Sequence, residues 1–176
     1  MKKQILAISG SVRKASVNLA ILKYIKHTFK EELTIEIYDK VDQLPIFNPD
    51  LEGDLLPNIV KELQHKIATA DGILISTPEY VFSLPGNLKN LLEWHVSTTL
   101  LSKKPVALIV AAASGKHAFQ SLDLVLSTIT DSPIQEDLKL LLQGIGKKVD
   151  NKGRITDEAV QSALQKLGKA FMEQLN

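Results

Sequence analysis

The sequence predicts a doubly wound α/β fold, a parallel sheet covered by helices on both faces. Three observations carry this reading. Short apolar runs such as Ile5–Ile8, Gly72–Ser76 and Pro105–Ala112 alternate with stretches whose leucines and isoleucines recur at three- and four-residue spacing. The last two of these runs are apolar at nearly consecutive positions, as in parallel strands buried on both faces. Strand and helix alternate along the whole chain without a linker, repeat or low-complexity stretch, so a single domain over residues 1–176 is expected. Parallel strands joined by helices cross over right-handedly, which winds the sheet on both sides.

The elements follow in order. Residues 4–9 form strand one, and Gly10-Ser11 ends it. Helix one starts near Ser16, with Leu19, Leu22, Ile25 and Phe29 on one face. Thr34–Tyr38 alternates and reads as strand two, near an edge of the sheet. Residues 43–54 are loop, dense in Pro, Asn, Asp and Gly. Helix two follows Pro57 and buries a stripe of Leu56, Ile59, Val60, Leu63 and Ile67. Strand three is Gly72–Ser76. A loop punctuated by Pro78, Pro85 and Gly86 leads into helix three, marked by Leu88, Leu91, Leu92 and His95. Pro105–Ala112 is strand four, a central one. Ser114–His117 is loop, and Ala118, Leu122, Val125 and Ile129 mark helix four. Strand five falls within residues 133–143. Val149–Arg154 is a surface turn. Thr156 is the expected N-cap of the last helix, with Asp157 and Glu158 favourable to its dipole and Leu164, Leu167 and Phe171 as its core stripe.

Composition excludes several functions. Apolar residues make up 44% and charged residues 23%, ordinary for a globular protein. Twenty-one lysines and arginines against 20 acidic residues leave a net charge of +1, so no basic field recruits nucleic acid. The absence of cysteine removes disulfides, thiolate metal sites and cysteine nucleophiles together. The apolar run after Met1-Lys-Lys-Gln is too short for a signal peptide, and no run approaches a membrane span. A cytoplasmic protein without membrane association is expected.

Two loops carry chemistry. Ligands of open α/β sheets sit outside the carboxyl ends of strands. The stretch from Thr77 to Trp94 begins at such an end. Its Tyr80 face, its Glu79 carboxylate and the backbone amides stiffened by Pro78 suit a flat polar ring, although the same residues also make a turn that shapes a helix entrance. The loop between strand one and helix one offers a helix N-terminus together with Ser11, Ser16, Asn18 and the Arg13 guanidinium, which together suit a phosphate. The alternative is that Ser16 only caps the helix and Arg13 is solvated. The loop is neither G-x-G-x-x-G nor G-x-x-x-x-G-K-[ST], which argues against a dinucleotide fingerprint or a triphosphate loop and favours a lone terminal phosphate.

The string T-P-E-Y-x-x-S-x-P-G-x-L-K-N-x-x-E-W over Thr77–Trp94 resembles the signature loop of the NADPH-dependent FMN reductase family, flavodoxin-like proteins that include azo- and quinone reductases. Gly10–Asn18 looks like that family's phosphate loop, and Leu44–Asp50 like its second, shorter signature. The resemblance implies a three-layer flavodoxin-like sandwich with a five-stranded parallel sheet in the order 2-1-3-4-5. It implies non-covalent FMN, with Ser11, Arg13, Ser16 and Asn18 at the phosphate. Pro78, Glu79, Tyr80 and Val81 would lie along the isoalloxazine, largely through backbone, and Ser114-Gly115 would cover its pyrimidine end. It further implies a homodimer or tetramer, with the region around Trp94 and helix three at an interface bordering the flavins; by residue type alone, Trp94 would simply belong to the chain's own core.

Two departures stand out. Val81-Phe82 occupy positions where members often carry Asn or His and Gly, so Phe82 either walls the pocket above the ring or packs into a partner subunit. Only Ser114-Gly115 remains of a glycine-rich third loop, followed by Lys116-His117-Ala118-Phe119, and fewer glycines mean less close approach of backbone to ligand. The histidines at 27, 65, 95 and 117 lack metal-ligand spacing; His117 can reach the flavin edge or an NADPH phosphate. Asp50 and Glu52 read as turn residues, and no Ser/His/Asp order or G-x-S-x-G appears.

The expected activity is ping-pong reduction of a small acceptor (a quinone, azo compound, free flavin or metal oxyanion) at the expense of NADPH or NADH. The flavin carries the redox chemistry, so no side chain is assigned as catalytic. The rival readings are an electron carrier or flavin-binding regulator without pyridine-nucleotide turnover, and a member that has lost its flavin. Electron carriers of this fold are typically strongly acidic, and this chain is not.

Overall fold

The structure, a computed structural model, describes residues 1–175; Asn176, the last residue of the expected domain, lies outside the described residues. Strands β1 (Lys3–Ser9), β2 (Leu33–Tyr38), β3 (Gly72–Thr77), β4 (Val106–Ala112) and β5 (Lys139–Gln143) form one sheet in the order β2-β1-β3-β4-β5. Every neighbouring pair is parallel. Helices α1 (Val17–Thr28), α2 (Asn58–Thr69), α3 (Gly86–Glu93), α4 (Lys116–Ile129) and α5 (Glu158–Gln174) complete a flavodoxin-like three-layer sandwich. α1 packs against α5, α2 against β1 and α4 against β4.

All six residues of β3 are buried, as are six of the seven in β4, which is why their runs are continuously apolar. β2, at the edge, buries Leu33 and Ile35 and exposes Thr34 and Glu36. The register pairs Ser9 with Ser76 and Ser76 with Ile109, so β1, β3 and β4 end nearly level and release their loops side by side. That alignment places the site.

Sequence boundaries hold to within a few residues, with informative differences. The loop over residues 43–54 overlaps a 3-10 turn at each end, Val41–Gln43 and Gly53–Leu55. β4 starts at Val106, because Pro105 has no N–H to give a ladder. The last helix is capped by Asp157 and not by Thr156. The Asp157 carboxylate accepts from Val160 N–H at 2.9 Å, whereas the Thr156 amide is drawn 3.0 Å to the Lys148 carbonyl. Both residues are good caps, and the bridge between Val149 and Ile155 decides between them.

Candidate flavin site

The β1–α1 loop is a chain of serine turns. Ser9 Oγ accepts from Ser11 N–H at 3.3 Å, Ser11 Oγ from Arg13 N–H at 3.4 Å, and Ser16 Oγ from Asn18 N–H at 3.2 Å. Gly10 makes the loop possible: its N–H donates to the Ser76 carbonyl, and a Cβ there would run into the Thr77 side chain. Ser16 is the N-cap of α1, whose first turn carries no acidic residue. Ser11 and Ser16 are buried, while Arg13 and Lys14 are exposed. Among the described residues the Arg13 guanidinium has neither an ion-pair nor a hydrogen-bond partner. Hydroxyls, a positive helix end and an unpaired guanidinium form a donor set for an anion, and a phosphomonoester matches it. The loop borders a cavity of about 250 Å³ against Tyr38–Asp42, and a groove of about 460 Å³ against the 149–153 turn.

Asn18 faces the other way. Its side chain is buried, its Nδ2 donates to the Ala111 carbonyl at 3.2 Å, and its Oδ1 accepts from Ser76 Oγ at 2.9 Å. The structure therefore brings Ser11, Arg13 and Ser16 together at the loop, and gives Asn18 the task of tying α1 to β3 and β4 beneath it.

The β3–α3 loop closes with a two-residue hairpin. Tyr80 and Ser83 exchange both backbone hydrogen bonds at 3.0 Å, and Val81 and Phe82 between them have φ of 50° and 57°. A turn of this hand favours Asn and Gly. For a β-branched and an aromatic residue it stores strain on the order of 1 kcal/mol or more each. Pro78 is buried and Tyr80 half exposed, while the Val81 side chain stands in solvent.

Glu79 does not face outward. Its carboxylate accepts from Gly115 N–H at 3.1 Å, His117 N–H at 2.9 Å and Ala118 N–H at 3.0 Å, and so caps α4 from another loop. α4 has no local side-chain cap, because its N-cap is Gly115 at φ 86°, where a Cβ would press on Leu141 and Val110. The Ala118 donor, helped by those of Gly115 and His117, holds the Glu79 carboxyl below the ordinary range against the opposing effect of burial. Replacing Glu79 by Ala should lower stability by about 1–2 kcal/mol at neutral pH, the worth of a charged cap. Because the folded pKa is depressed, this contribution is complete above the unfolded glutamate value and fades as pH falls through the depressed one. Denaturant melts of wild type and Glu79→Gln should therefore converge in acid; a gap that stays constant with pH would contradict this role.

The second signature is clamped to α3. Asn90 Nδ2 and Trp94 Nε1 both donate to the Pro45 carbonyl at 2.9 Å, and Asn90 Oδ1 accepts from Phe47 N–H at 2.7 Å. The Phe47 and Trp94 rings meet edge to face at 5.2 Å. Trp94, placed by the family resemblance at a subunit interface, is thus buried in its own chain. Sequence reasoning assigned no role to Asn90; its i, i+4 spacing from Trp94 on an amphipathic helix was the available signal. His27 and His65 are exposed. His95 is buried with Nδ1 2.8 Å from the Leu91 carbonyl, and burial pushes its pKa down. Asp50 and Glu52 are exposed turn residues, and no cluster of metal-ligating side chains occurs among the described residues.

Residues 3–134 match the family described as NADPH-dependent FMN reductase. The chain belongs to that family. It is 32% identical over 173 residues to the NADH:(hydroxy)cinnamate reductase subunit CrdA of Vibrio ruber, covering 95% of this chain and 84% of that one. It is 30% identical to an NADPH azoreductase of a Bacillus species, covering 96% and 92%. Among solved structures, FerB, a flavoenzyme NAD(P)H:(acceptor) oxidoreductase of Paracoccus denitrificans, superposes with a TM-score of 0.79 at 25% identity, covering 98% and 97%. As a member of the NADPH-dependent FMN reductases, the protein is an FMN-dependent NAD(P)H oxidoreductase. A guanidinium unpaired among the described residues, on the loop before an acid-free helix start, fits the phosphate of that cofactor.

Proposed function

We propose that residues 1–176 act as one FMN-binding domain that reduces quinones, azo compounds, free flavin or metal oxyanions by a ping-pong reaction, as a cytoplasmic homodimer or tetramer. FMN held there would supply the two-electron redox chemistry between NADPH or NADH and the acceptor. Ser11, Arg13 and Ser16 hold its phosphate, with Asn18 bracing the loop from below. Pro78, Tyr80 and Val81 line the ring through their backbone, and Ser114-Gly115 close over its far edge. Glu79 positions those two loops against each other. Its two oxygens are engaged by three N–H groups, so it is not free to move protons.

The observation that carries the reading is the unpartnered Arg13 on a serine-turn loop beside the ring loops. The Bacillus and Paracoccus relatives support small-molecule acceptors. Among the described residues no helix is long and apolar enough to cross a membrane. Steady-state rates with NADPH varied at fixed levels of 1,4-naphthoquinone test the mechanism. Parallel double-reciprocal lines are expected, and intersecting lines would rule out the ping-pong order.

A further inference from the structure

We infer that Phe82 and His117 form an aromatic corner beside the flavin ring that selects flat, ring-shaped acceptors over compact ones; the inference rests on the cofactor placement proposed above. The tip of the β3–α3 hairpin holds Val81 and Phe82 at positive φ, although they are 95% and 73% exposed and so gain little from burial. Asn and Gly would take the same turn without strain. Strain kept at an exposed loop tip next to a binding site points to a use of the side chains themselves.

Phe82 has one ring neighbour among the described residues. Its centroid lies 5.4 Å from that of His117, with the planes at 85°. The two side chains come from the two loops that Glu79 ties together, and the Glu79 carboxylate holds the His117 backbone N–H at 2.9 Å. The corner therefore sits on a braced frame between the loops assigned to the ring. Two rings at right angles receive a planar aromatic molecule by stacking on one and edge contact with the other. A compact anion such as ferricyanide gains neither contact. NADPH supplies two electrons and one proton and solvent a second proton to turn a quinone into its quinol. Two ferricyanide ions take one electron each and the proton goes to solvent, so the two acceptors share the electron count and not the proton chemistry, and the affinity measured without turnover isolates binding.

The test uses FMN-loaded wild type, Phe82→Gly and Phe82→Tyr. In Phe82→Gly the ratio of kcat/KM for 1,4-naphthoquinone to that for ferricyanide should fall about three- to tenfold, the value of one aromatic contact. The affinity of the oxidised protein for 1,4-naphthoquinone, measured by calorimetry without NADPH, should fall by the same factor. Phe82→Tyr keeps the ring and should restore both. An unchanged ratio and affinity in a Phe82→Gly protein that retains flavin would overturn the corner and leave the flavin site standing. So would a change of oligomeric state by sedimentation with no change in ratio, which would assign the tip to contact between copies. Wild type that retains no flavin would overturn the corner and the cofactor placement together.

Discussion

Replacing Arg13 by Ala weakens FMN binding by about ten- to a hundredfold, the range expected for one hydrogen-bonded charge on a phosphate. The guanidinium is exposed and has no partner among the described residues, so nothing within the fold is lost with it. The effect should therefore appear in flavin affinity and not in the melting temperature. Because the site is open to solvent, the difference between wild type and variant shrinks as salt rises. Riboflavin, which lacks the phosphate, supplies the control. Its affinity should be equal in both proteins when flavin fluorescence is titrated. Equal FMN affinities would show that the phosphate binds elsewhere.

The largest loss of stability is expected from Asn18→Ala, about 2–4 kcal/mol. The side chain fills a buried position and satisfies two buried groups, the Ser76 hydroxyl and the Ala111 carbonyl. Truncation leaves the Ser76 hydroxyl without its partner, takes a donor from the Ala111 carbonyl and opens a small void. Denaturant unfolding measures the loss. A double-mutant cycle identifies its origin, because Ser76→Ala should cost less in the Asn18→Ala background than in wild type. Additive costs would mean that the Asn18–Ser76 contact contributes nothing. Since this contact fixes the start of α1 against β3 and β4, flavin affinity should fall with stability here, unlike in Arg13→Ala.

The contrast between these two residues shows what the sequence reveals and what it withholds. The strand order, the loop positions and the acid-free start of α1 follow from periodicity, spacing and resemblance, which are local or repeated along the chain. Ser11, Arg13, Ser16 and Asn18 fall in one nine-residue motif, and nothing in that spacing separates a side chain turned to the ligand from one turned to the sheet. The difference lies in Ser76 and Ala111, 58 and 93 residues away. Glu79 poses the same problem. As a carboxylate in a ligand loop it reads as a ring contact, but its partners lie 36 to 39 residues on, at the start of α4. That start has Gly115 as its N-cap and no side-chain cap of its own, and Glu79 supplies one. The departure at Val81-Phe82 was visible in the sequence, whereas its left-handed backbone was not. Trp94 was recognisable as a buried residue, but only the fold shows that the Pro45 carbonyl and the Phe47 ring of the same chain bury it.

The placement of FMN on the Arg13 loop, beside the loops that Glu79 joins, is the centre of this account. The visible spectrum of protein loaded with excess FMN, desalted, and then mixed anaerobically with NADPH tests it most directly. A flavin spectrum that survives desalting and bleaches rapidly with NADPH is the predicted result. Protein that comes off the column colourless, or retained flavin that NADPH leaves oxidised, would contradict it.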